Sequence, residues 1–159
     1  MPELREALES AGFSDVRTYV QSGNVVLSSR ASPVRVARDV NALIKKRFGL
    51  DIVVLVRSRA DLAEVVWRNP LAKIAVDPKR HLVTFLSSEL PGEVIDRMST
   101  LAGEQEQFRV IGREVYSWHP AGVGRSPLWE RLGGRALGVA ATSRNWTTVT
   151  TLLAMADDR

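Results

Sequence analysis

Apolar residues recur along this chain at two different spacings, and their alternation predicts a mixed α and β architecture. Helical spacing is clearest after Ser32-Pro33, where Val36, Val40 and Ile44 follow one another at intervals of one turn and Gly49 ends the pattern. A serine cap followed by proline, and a glycine at the far end, are the usual boundaries of a helix. The same spacing predicts further helices over residues 3–11, 58–68, 91–101, 126–133 and 146–156.

Short runs rich in β-branched residues predict the strands. These runs cover residues 16–21, 25–28, 52–56, 81–86, 107–111, 115–118 and 139–142. Two pairs of them are separated by glycine-containing turns, Ser22-Gly23-Asn24 and Gly112-Arg113-Glu114, which favour β-hairpins.

The order of these elements predicts the fold class. From residue 81 onward the order is β-α-β-β-α-β, the split βαβ or ferredoxin-like pattern, and the earlier series is the same without its opening strand. We therefore predict an α+β protein made of two tandem degenerate ferredoxin-like halves. The first, truncated half with a linking helix covers residues 1–70, a connector covers 71–80, and the second half with the C-terminal helix covers 81–159.

The missing opening strand has a physical consequence. In a ferredoxin-like sheet that strand lies in the middle, so its removal exposes two rows of backbone donors and acceptors. Residues 25–28 and 52–56 would have to pair directly, borrow a strand from another molecule, or remain marginal. We expect the true start of the protein to lie upstream of Met1.

Composition limits the classes of function. The chain has 159 residues, of which 45% are hydrophobic, and it contains no cysteine, so disulfides, thiolate metal sites and cysteine nucleophiles are excluded. No apolar run reaches membrane-spanning length, and the polar N-terminus is unlike a signal peptide, so we expect a cytoplasmic protein. The two histidines, His81 and His119, are far apart in sequence, and we predict neither a metal site nor a cofactor.

Charge gives a weak indication of nucleic-acid binding. The formal net charge is +4, but the arginines are spread along the chain among acidic residues. The densest basic group, Lys45-Lys46-Arg47 with Arg35 and Arg38, lies on the polar side of one amphipathic helix, as solvated faces commonly do. The aromatic signature of RNA-recognition domains is absent. Nucleic-acid binding therefore stands as an alternative only.

The segment from Thr142 to Thr148 is the strongest candidate for a binding site. It combines Thr142, Ser143, Arg144, Asn145 and Thr148 across the predicted start of the last helix. Amides of a first helical turn have no intrahelical partner, and the helix dipole makes that end positive, so an anion or polar ligand is favoured there. Capping by Asn145 with Thr148 is the alternative explanation for part of the cluster.

The early hairpin supplies a second candidate group: Gln21, Ser22, Gly23 and Asn24. Glycine at a positive φ and a tolerant asparagine are what a tight turn requires, so the group is explained by the turn alone. The functional alternative is that these polar side chains line a cleft at the hairpin tip. His119 has no carboxylate partner that the sequence identifies, and is interpreted as a strand-end residue rather than a general base.

Two segments carry a resemblance to a known family. Residues 18–26, Thr-Tyr-Val-Gln-Ser-Gly-Asn-Val-Val, and 142–149, Thr-Ser-Arg-Asn-Trp-Thr-Thr-Val, resemble the bacterial family known as domain of unknown function 1697. Further matches are Arg57-Ser58, Asn69-Pro70, residues 112–116 and Gly122. The resemblance implies two ferredoxin-like halves. It also implies a preceding strand and a glycine-rich loop similar to L-L-R-G-I-N-V-G-G, which this chain lacks together with roughly twenty residues. It implies no activity.

Three functions remain open from the sequence. The leading hypothesis is a protein, whether or not an enzyme, that binds a small anionic or polar metabolite in a cleft joining Ser22-Gly23-Asn24 to Arg144-Asn145. Nucleic-acid binding is the second. The third is a non-catalytic structural module whose incomplete sheet edges make homo-oligomer contacts.

Overall fold

The computed structural model describes residues 2–19, 23–133 and 137–157. Within them lie six helices and six strands, which make an α+β fold. The helices are α1 (Pro2–Ser10), α2 (Pro33–Phe48), α3 (Arg59–Trp67), α4 (Gly92–Leu101), α5 (Pro127–Gly133) and α6 (Trp146–Asp157). The strands are β1 (Ser14–Tyr19), β2 (Asn24–Ser28), β3 (His81–Leu86), β4 (Gln107–Ile111), β5 (Glu114–Trp118) and β6 (Ala141–Asn145).

The chain divides into two compact units. The first consists of Met1–Leu62 with Thr151–Arg159, and the second of Ala63–Thr150. Among the described residues, no helix combines the length and the apolar character that crossing a membrane requires.

The first unit is built on an antiparallel pair of strands and two helices. Strand β1 pairs with β2, with an irregularity between Ser14 and Arg17, where Asp15 adopts a φ of 55°. Apolar side chains from every element form its core, and the buried members are Leu8, Val16, Val36, Val40 and Ile44. These are the residues that helical and strand spacing place on inward faces, so the hydrophobic pattern explains the packing.

Helix α2 begins and ends where the sequence predicts. The Ser32 hydroxyl accepts a hydrogen bond from the Arg35 amide at 3.3 Å, and Pro33 occupies the first turn. Gly49 ends the helix with a φ of 69°, in the left-handed region that favours glycine. Both boundary signals are therefore confirmed.

The strand predicted over residues 52–56 is wrong. No strand forms between α2 and α3 in the structure. Val54 and Val56 pack against the core of the first unit, and the side-chain Nδ2 of Asn41 donates to the Ile52 carbonyl at 2.5 Å. Ile52 and Val53 are nevertheless exposed. An apolar run becomes a strand only where a neighbouring backbone pairs with it, and none of the described residues does so here.

The second unit contains a four-stranded antiparallel sheet in the order β4-β5-β3-β6. Helix α4 connects β3 to β4, and α5 lies between β5 and β6. Both helices pack on one face of the sheet. The buried members of that core are Leu86, Leu90, Met98, Val115, Leu128, Leu132 and Leu137. Strand β3 is buried along its whole length because strands flank it on both sides.

Candidate functional site

Residues Thr142 to Asn145 lie in a strand rather than in a loop at the start of the helix. The predicted strand over 139–142 begins later and extends to Asn145. It pairs with β3 from Leu82↔Asn145 to Leu86↔Ala141. The extension follows from β3, whose full length offers backbone donors and acceptors that β6 satisfies. The predicted helix start at Trp146 is confirmed.

Alternation along β6 separates the predicted cluster onto two faces of the sheet. Ser143 hydrogen-bonds through its hydroxyl to the Thr84 hydroxyl at 2.6 Å, and Thr84 is fully buried. Ala141, two residues earlier on the same face, packs against the core beneath α4 and α5. Thr142 and Arg144 therefore face the other side of the sheet from Ser143 and Asn145.

Arg144 is a half-buried cation on that second face. Its Nη1 donates to the Thr142 hydroxyl at 2.8 Å and to the Ser143 carbonyl at 2.8 Å. Burial lowers the pKa of the Arg144 guanidinium, because removal from water disfavours the charged form. An anion placed beside this group would offset part of that desolvation.

Most backbone amides in the first turn of α6 donate hydrogen bonds to acceptors within the protein. The Trp146 amide donates to the Pro78 carbonyl at 3.1 Å, and the Thr148 amide donates to Asn145 Oδ1 at 2.9 Å. Asn145 is thus the helix cap, as the capping interpretation predicts. The Thr147 amide has no partner among the described residues, and Thr147 is exposed to solvent.

A buried imidazole lies against the start of the same helix. The rings of His81 and Trp146 stack with centroids 4.5 Å apart and an interplanar angle of 11°. His81 is 1% exposed, and its Nε2 has no hydrogen-bond partner in the part of the chain that the structure describes. Burial lowers the pKa of His81 to about 4, so the ring is neutral near pH 7.

Strand register places His81 close to Arg144. Val83 is directly opposite Arg144, and His81 lies two residues before Val83 on the same face of β3. Diagonal neighbours of this kind are within reach of long side chains. The sequence did not indicate this neighbour, because His81 and Arg144 are brought together only by strand pairing.

The early hairpin behaves as a turn where it is described. Gly23 has a φ of 84°, a conformation in which a residue with a side chain would be strained. Asn24 is 5% exposed. Asn24 Nδ2 donates to the Tyr19 carbonyl across the turn at 3.2 Å. Gln21 and Ser22 lie outside the described residues. Because this hairpin belongs to the first unit and Arg144 to the second, the predicted joint cleft stays a prediction.

His119 does have a carboxylate partner, which the sequence could not identify. Its Nδ1 lies 2.5 Å from Glu106 Oε2, and its Nε2 lies 2.8 Å from the Ser117 hydroxyl. The Ser126 hydroxyl donates to Glu106 at 2.6 Å and accepts from the Trp129 amide. Four polar residues thus form one network beside α5.

Opposing effects set the pKa of Glu106. Burial raises it, but hydrogen bonds from Ser126, the Gly103 amide and His119 together outweigh burial and hold the pKa below its ordinary value. The carboxylate is therefore charged near pH 7, with its oxygens engaged by internal donors. A stable anion of this kind orients the His119 ring.

Ser117, His119 and Glu106 share the connectivity of a serine, histidine and acid triad, but not its accessibility. Ser117 and His119 are both fully buried, and Ser117 lies on the same face of β5 as the core residue Val115. A nucleophile must reach substrate, so this network is structural. No group of three or more possible metal-ligating side chains occurs among residues 2–19, 23–133 and 137–157.

A second polar network supports the opposite face of the same sheet. The Tyr116 hydroxyl donates to the Val65 carbonyl at 2.7 Å and accepts from Arg68 Nε at 3.0 Å. Arg68 also pairs with Glu114. Tyr116 is fully buried, and burial raises the pKa of its phenol despite the neighbouring guanidinium. This network attaches the C-terminal end of α3 and the following Arg68 to the sheet.

Comparison with known proteins identifies a family and a fold. The family model described as "Protein of unknown function (DUF1697)" matches residues 1–116. The structure of the conserved bacterial protein SP0830 from Streptococcus pneumoniae is similar to this one, with a TM-score of 0.75 at 20% identity. The match covers 98% of this chain and 88% of that one, and at this identity it shows the fold alone. No curated protein matches the sequence significantly.

Proposed function

The chain belongs to the DUF1697 family of proteins of unknown function, and from this premise we propose that it binds a small anionic or polar molecule where β6 meets α6. The observation that carries the proposal is the buried Nε2 of His81, which has no partner among the described residues. A buried polar atom without a hydrogen bond costs about 1–3 kcal/mol, so a bound group that supplies one is favoured.

Three groups near the start of α6 fit such a molecule. Arg144 provides a half-buried positive charge, and His81 provides a neutral ring nitrogen. The exposed residue Thr147 provides an amide without a partner among the described residues, at the positive end of a twelve-residue helix. A phosphate or carboxylate accepts from guanidinium and amide together. Ser143 and Asn145 have a supporting role in this proposal, since their side chains bond Thr84 and the Thr148 amide.

A thermal-shift screen tests the proposal. Inorganic phosphate, sulfate, nucleoside monophosphates and sugar phosphates are added to the full chain, and unfolding is followed by tryptophan fluorescence. A ligand at a hundred times its Kd adds ~2.7 kcal/mol of stability. Arg144→Ala should abolish the shift, and the exposed Arg97→Ala should leave it unchanged. No shift with any probe, or an equal shift in Arg144→Ala, would overturn the assignment.

The early hairpin remains a separate part of the proposal. If Gly23, Asn24 and their neighbours Gln21 and Ser22 contribute to ligand binding, Asn24→Ala weakens binding of any probe that Arg144→Ala also affects. An unchanged affinity in Asn24→Ala restricts the site to the second unit.

We further propose that each unit derives from a ferredoxin-like half. Support comes from the strand order β4-β5-β3-β6 with two crossover helices, which is the ferredoxin-like arrangement, and from the order α1-β1-β2-α2 in the first unit.

Strand pairing between copies is a second candidate function. Strand β2 pairs with β1 along one edge, and no second ladder to β2 occurs among the described residues. Leu50, Ile52 and Val53 expose apolar surface in the same unit. Such edges invite another strand. Sedimentation tests this candidate: a dimer that Val53→Lys dissociates supports it, and a monomer at high concentration refutes it.

A further inference from the structure

A groove of about 450 Å³ runs between helix α4 and strand β4, wholly within the second unit. Ile95, Ser99 and Ala102 line it from the helix, since they recur on one helical face. Phe108 and Val110 line it from the strand and also pack against the core of the unit. The groove is therefore mixed, with four apolar lining residues, and Ser99 places one hydroxyl on its helical wall.

Strand β4 is the edge of the sheet, and the outward side of its backbone pairs with no other strand among the described residues. Among the described residues its one ladder is with β5, in a hairpin that turns through Gly112-Arg113. A two-residue turn closes on a hydrogen-bonded pair, here Ile111↔Glu114, and the pairs then alternate. Phe108 and Val110 fall in the non-bonded pairs, so their N–H and C=O groups point outward.

One contact supports this assignment of direction. The Phe108 carbonyl accepts a hydrogen bond at 2.8 Å from the guanidinium of the next residue, Arg109. A carbonyl that pointed towards β5 would be engaged in the ladder and could not readily accept this bond. Arg109 also donates to Gln107, and it is exposed. No bond to the outward Phe108 and Val110 amides is present among the described residues.

The charge available at the groove is positive. Two charged side chains line it, Arg109 and Glu106. The Glu106 carboxylate is engaged by Ser126, His119 and the Gly103 amide, which leaves Arg109 as the charge that an incoming group would meet. Charge complementarity therefore favours a carboxylate on the occupant.

We propose that this groove binds an extended peptide segment of a partner protein, which adds to β4 as a fifth strand. Its backbone pairs with Phe108 and Val110, alternate apolar side chains enter the space beside Ile95 and Ala102, and an acidic residue pairs with Arg109. An edge strand beside a helix is the geometry that domains recognising peptides by β-augmentation use. The volume lies within the roughly 300–1,000 Å³ range of ligand sites. This inference is independent of the ligand proposed near Arg144.

Peptide selection on the full chain tests the proposal. A displayed library of random peptides about eight residues long, enough to span the strand, is selected against the immobilised protein. We expect enriched peptides to alternate apolar and polar residues and to carry an acidic residue. Enriched peptides are synthesised, and their Kd is measured by fluorescence anisotropy.

Three substitutions and one matched control locate the binding. Ser99→Trp fills the groove, and we expect it to weaken binding at least ~10-fold, about 1.4 kcal/mol. Thr100→Trp, the next and exposed residue of α4, is the matched control and should leave the Kd unchanged. Val110→Pro removes an outward amide without removing a bond of the β4–β5 ladder, and should also weaken binding. Arg109→Ala should abolish the preference for acidic peptides.

The peptide backbone provides the final discrimination. N-methylation of the peptide amides that face β4 should abolish binding if a strand is added. Overturning results are an empty selection, equal affinity of Ser99→Trp and Thr100→Trp, or tolerance of N-methylation. A dimer that Ser99→Trp converts to monomer would also overturn the proposal, because a second copy would then occupy the groove.

Discussion

Removal of one buried hydroxyl, in Tyr116→Phe, tests how the second unit is held together. The Tyr116 hydroxyl serves two partners, donating to the Val65 carbonyl and accepting from Arg68 Nε. Phenylalanine keeps the ring and its packing. The substitution therefore isolates the two hydrogen bonds, without leaving a large cavity.

The magnitude follows from what each partner loses. Val65 is 1% exposed, so its carbonyl loses a donor that water cannot readily replace, which costs about 1–2 kcal/mol. Arg68 is 24% exposed and keeps its pairing with Glu114, so its loss is smaller, up to about 1 kcal/mol. We expect a total of about 2 kcal/mol.

Urea unfolding followed by tryptophan fluorescence measures this loss in the correct unit. All four tryptophans, Trp67, Trp118, Trp129 and Trp146, lie within Ala63–Thr150. With an m-value of roughly 2 kcal/mol/M, the midpoint should fall by about 1 M, at an unchanged m-value.

The chain supplies its own control for this experiment. It contains two tyrosines, and the other, Tyr19, lies in the first unit. Tyr19→Phe should leave the tryptophan-detected midpoint in place. A loss below ~0.5 kcal/mol in Tyr116→Phe, or equal losses in the two variants, would refute the reasoning, since the buried network would then contribute no more than a surface hydroxyl.

Three further outcomes are expected. Burial lowers the folded-state pKa of His81 to about 4 from 6.5, so the unfolded chain takes up the proton first, and up to about 3 kcal/mol of stability should be lost as the pH falls from 6.5 to 4. In His81→Phe, the urea midpoint should therefore change less with pH over this range. The same pH dependence in His81→Phe as in the unsubstituted protein would contradict the burial of a neutral ring. The folded-state pKa of Glu106 lies below 4.5, so the stability that its carboxylate contributes is present above pH 4.5 and is lost as the pH falls through the folded-state pKa. In acid titrations followed by tryptophan fluorescence, Glu106→Gln should remove this pH-dependent contribution, and Glu104→Gln, at an exposed residue, should retain it. Gly49→Ala should lower the free energy of unfolding by about 1 kcal/mol, measured by circular dichroism, because an alanine is strained at a φ of 69°. Gly92→Ala at the start of α4 should leave the free energy of unfolding unchanged. Equal effects of the two substitutions would show that the left-handed end of α2 is unimportant.

Local signals predicted most of the secondary structure because those signals act within a few residues. Ser32-Pro33 and Gly49 delimit α2, and Ser58, whose hydroxyl accepts from the Asp61 amide, precedes α3. The β3 limits and the first residue of α6 also agree. The strand prediction for residues 52–56 was wrong because a strand forms only beside a pairing partner, and the spacing of apolar residues does not indicate whether a partner is present.

The candidate site was predictable only in part for a related reason. Helix capping by Asn145 is a local interaction and could be anticipated. The other contacts of the site depend on strand register. In the observed register Ser143 faces Thr84, and Arg144 lies near His81. The Glu106 and His119 pair is separated by a hairpin, so neither residue's neighbours in sequence indicated the contact.

The Gly112-Arg113 turn joins β4 to β5 and also secures the far end of β3, because the Arg113 carbonyl accepts from the Leu86 amide at 2.9 Å. An exposed two-residue tip is ordinarily an attractive place for an epitope tag or a circular permutation. Here an insertion at that tip would displace the carbonyl that holds a fully buried leucine. Protein engineers who want a reporter in this protein should choose the connector at the exposed residue Val76 instead.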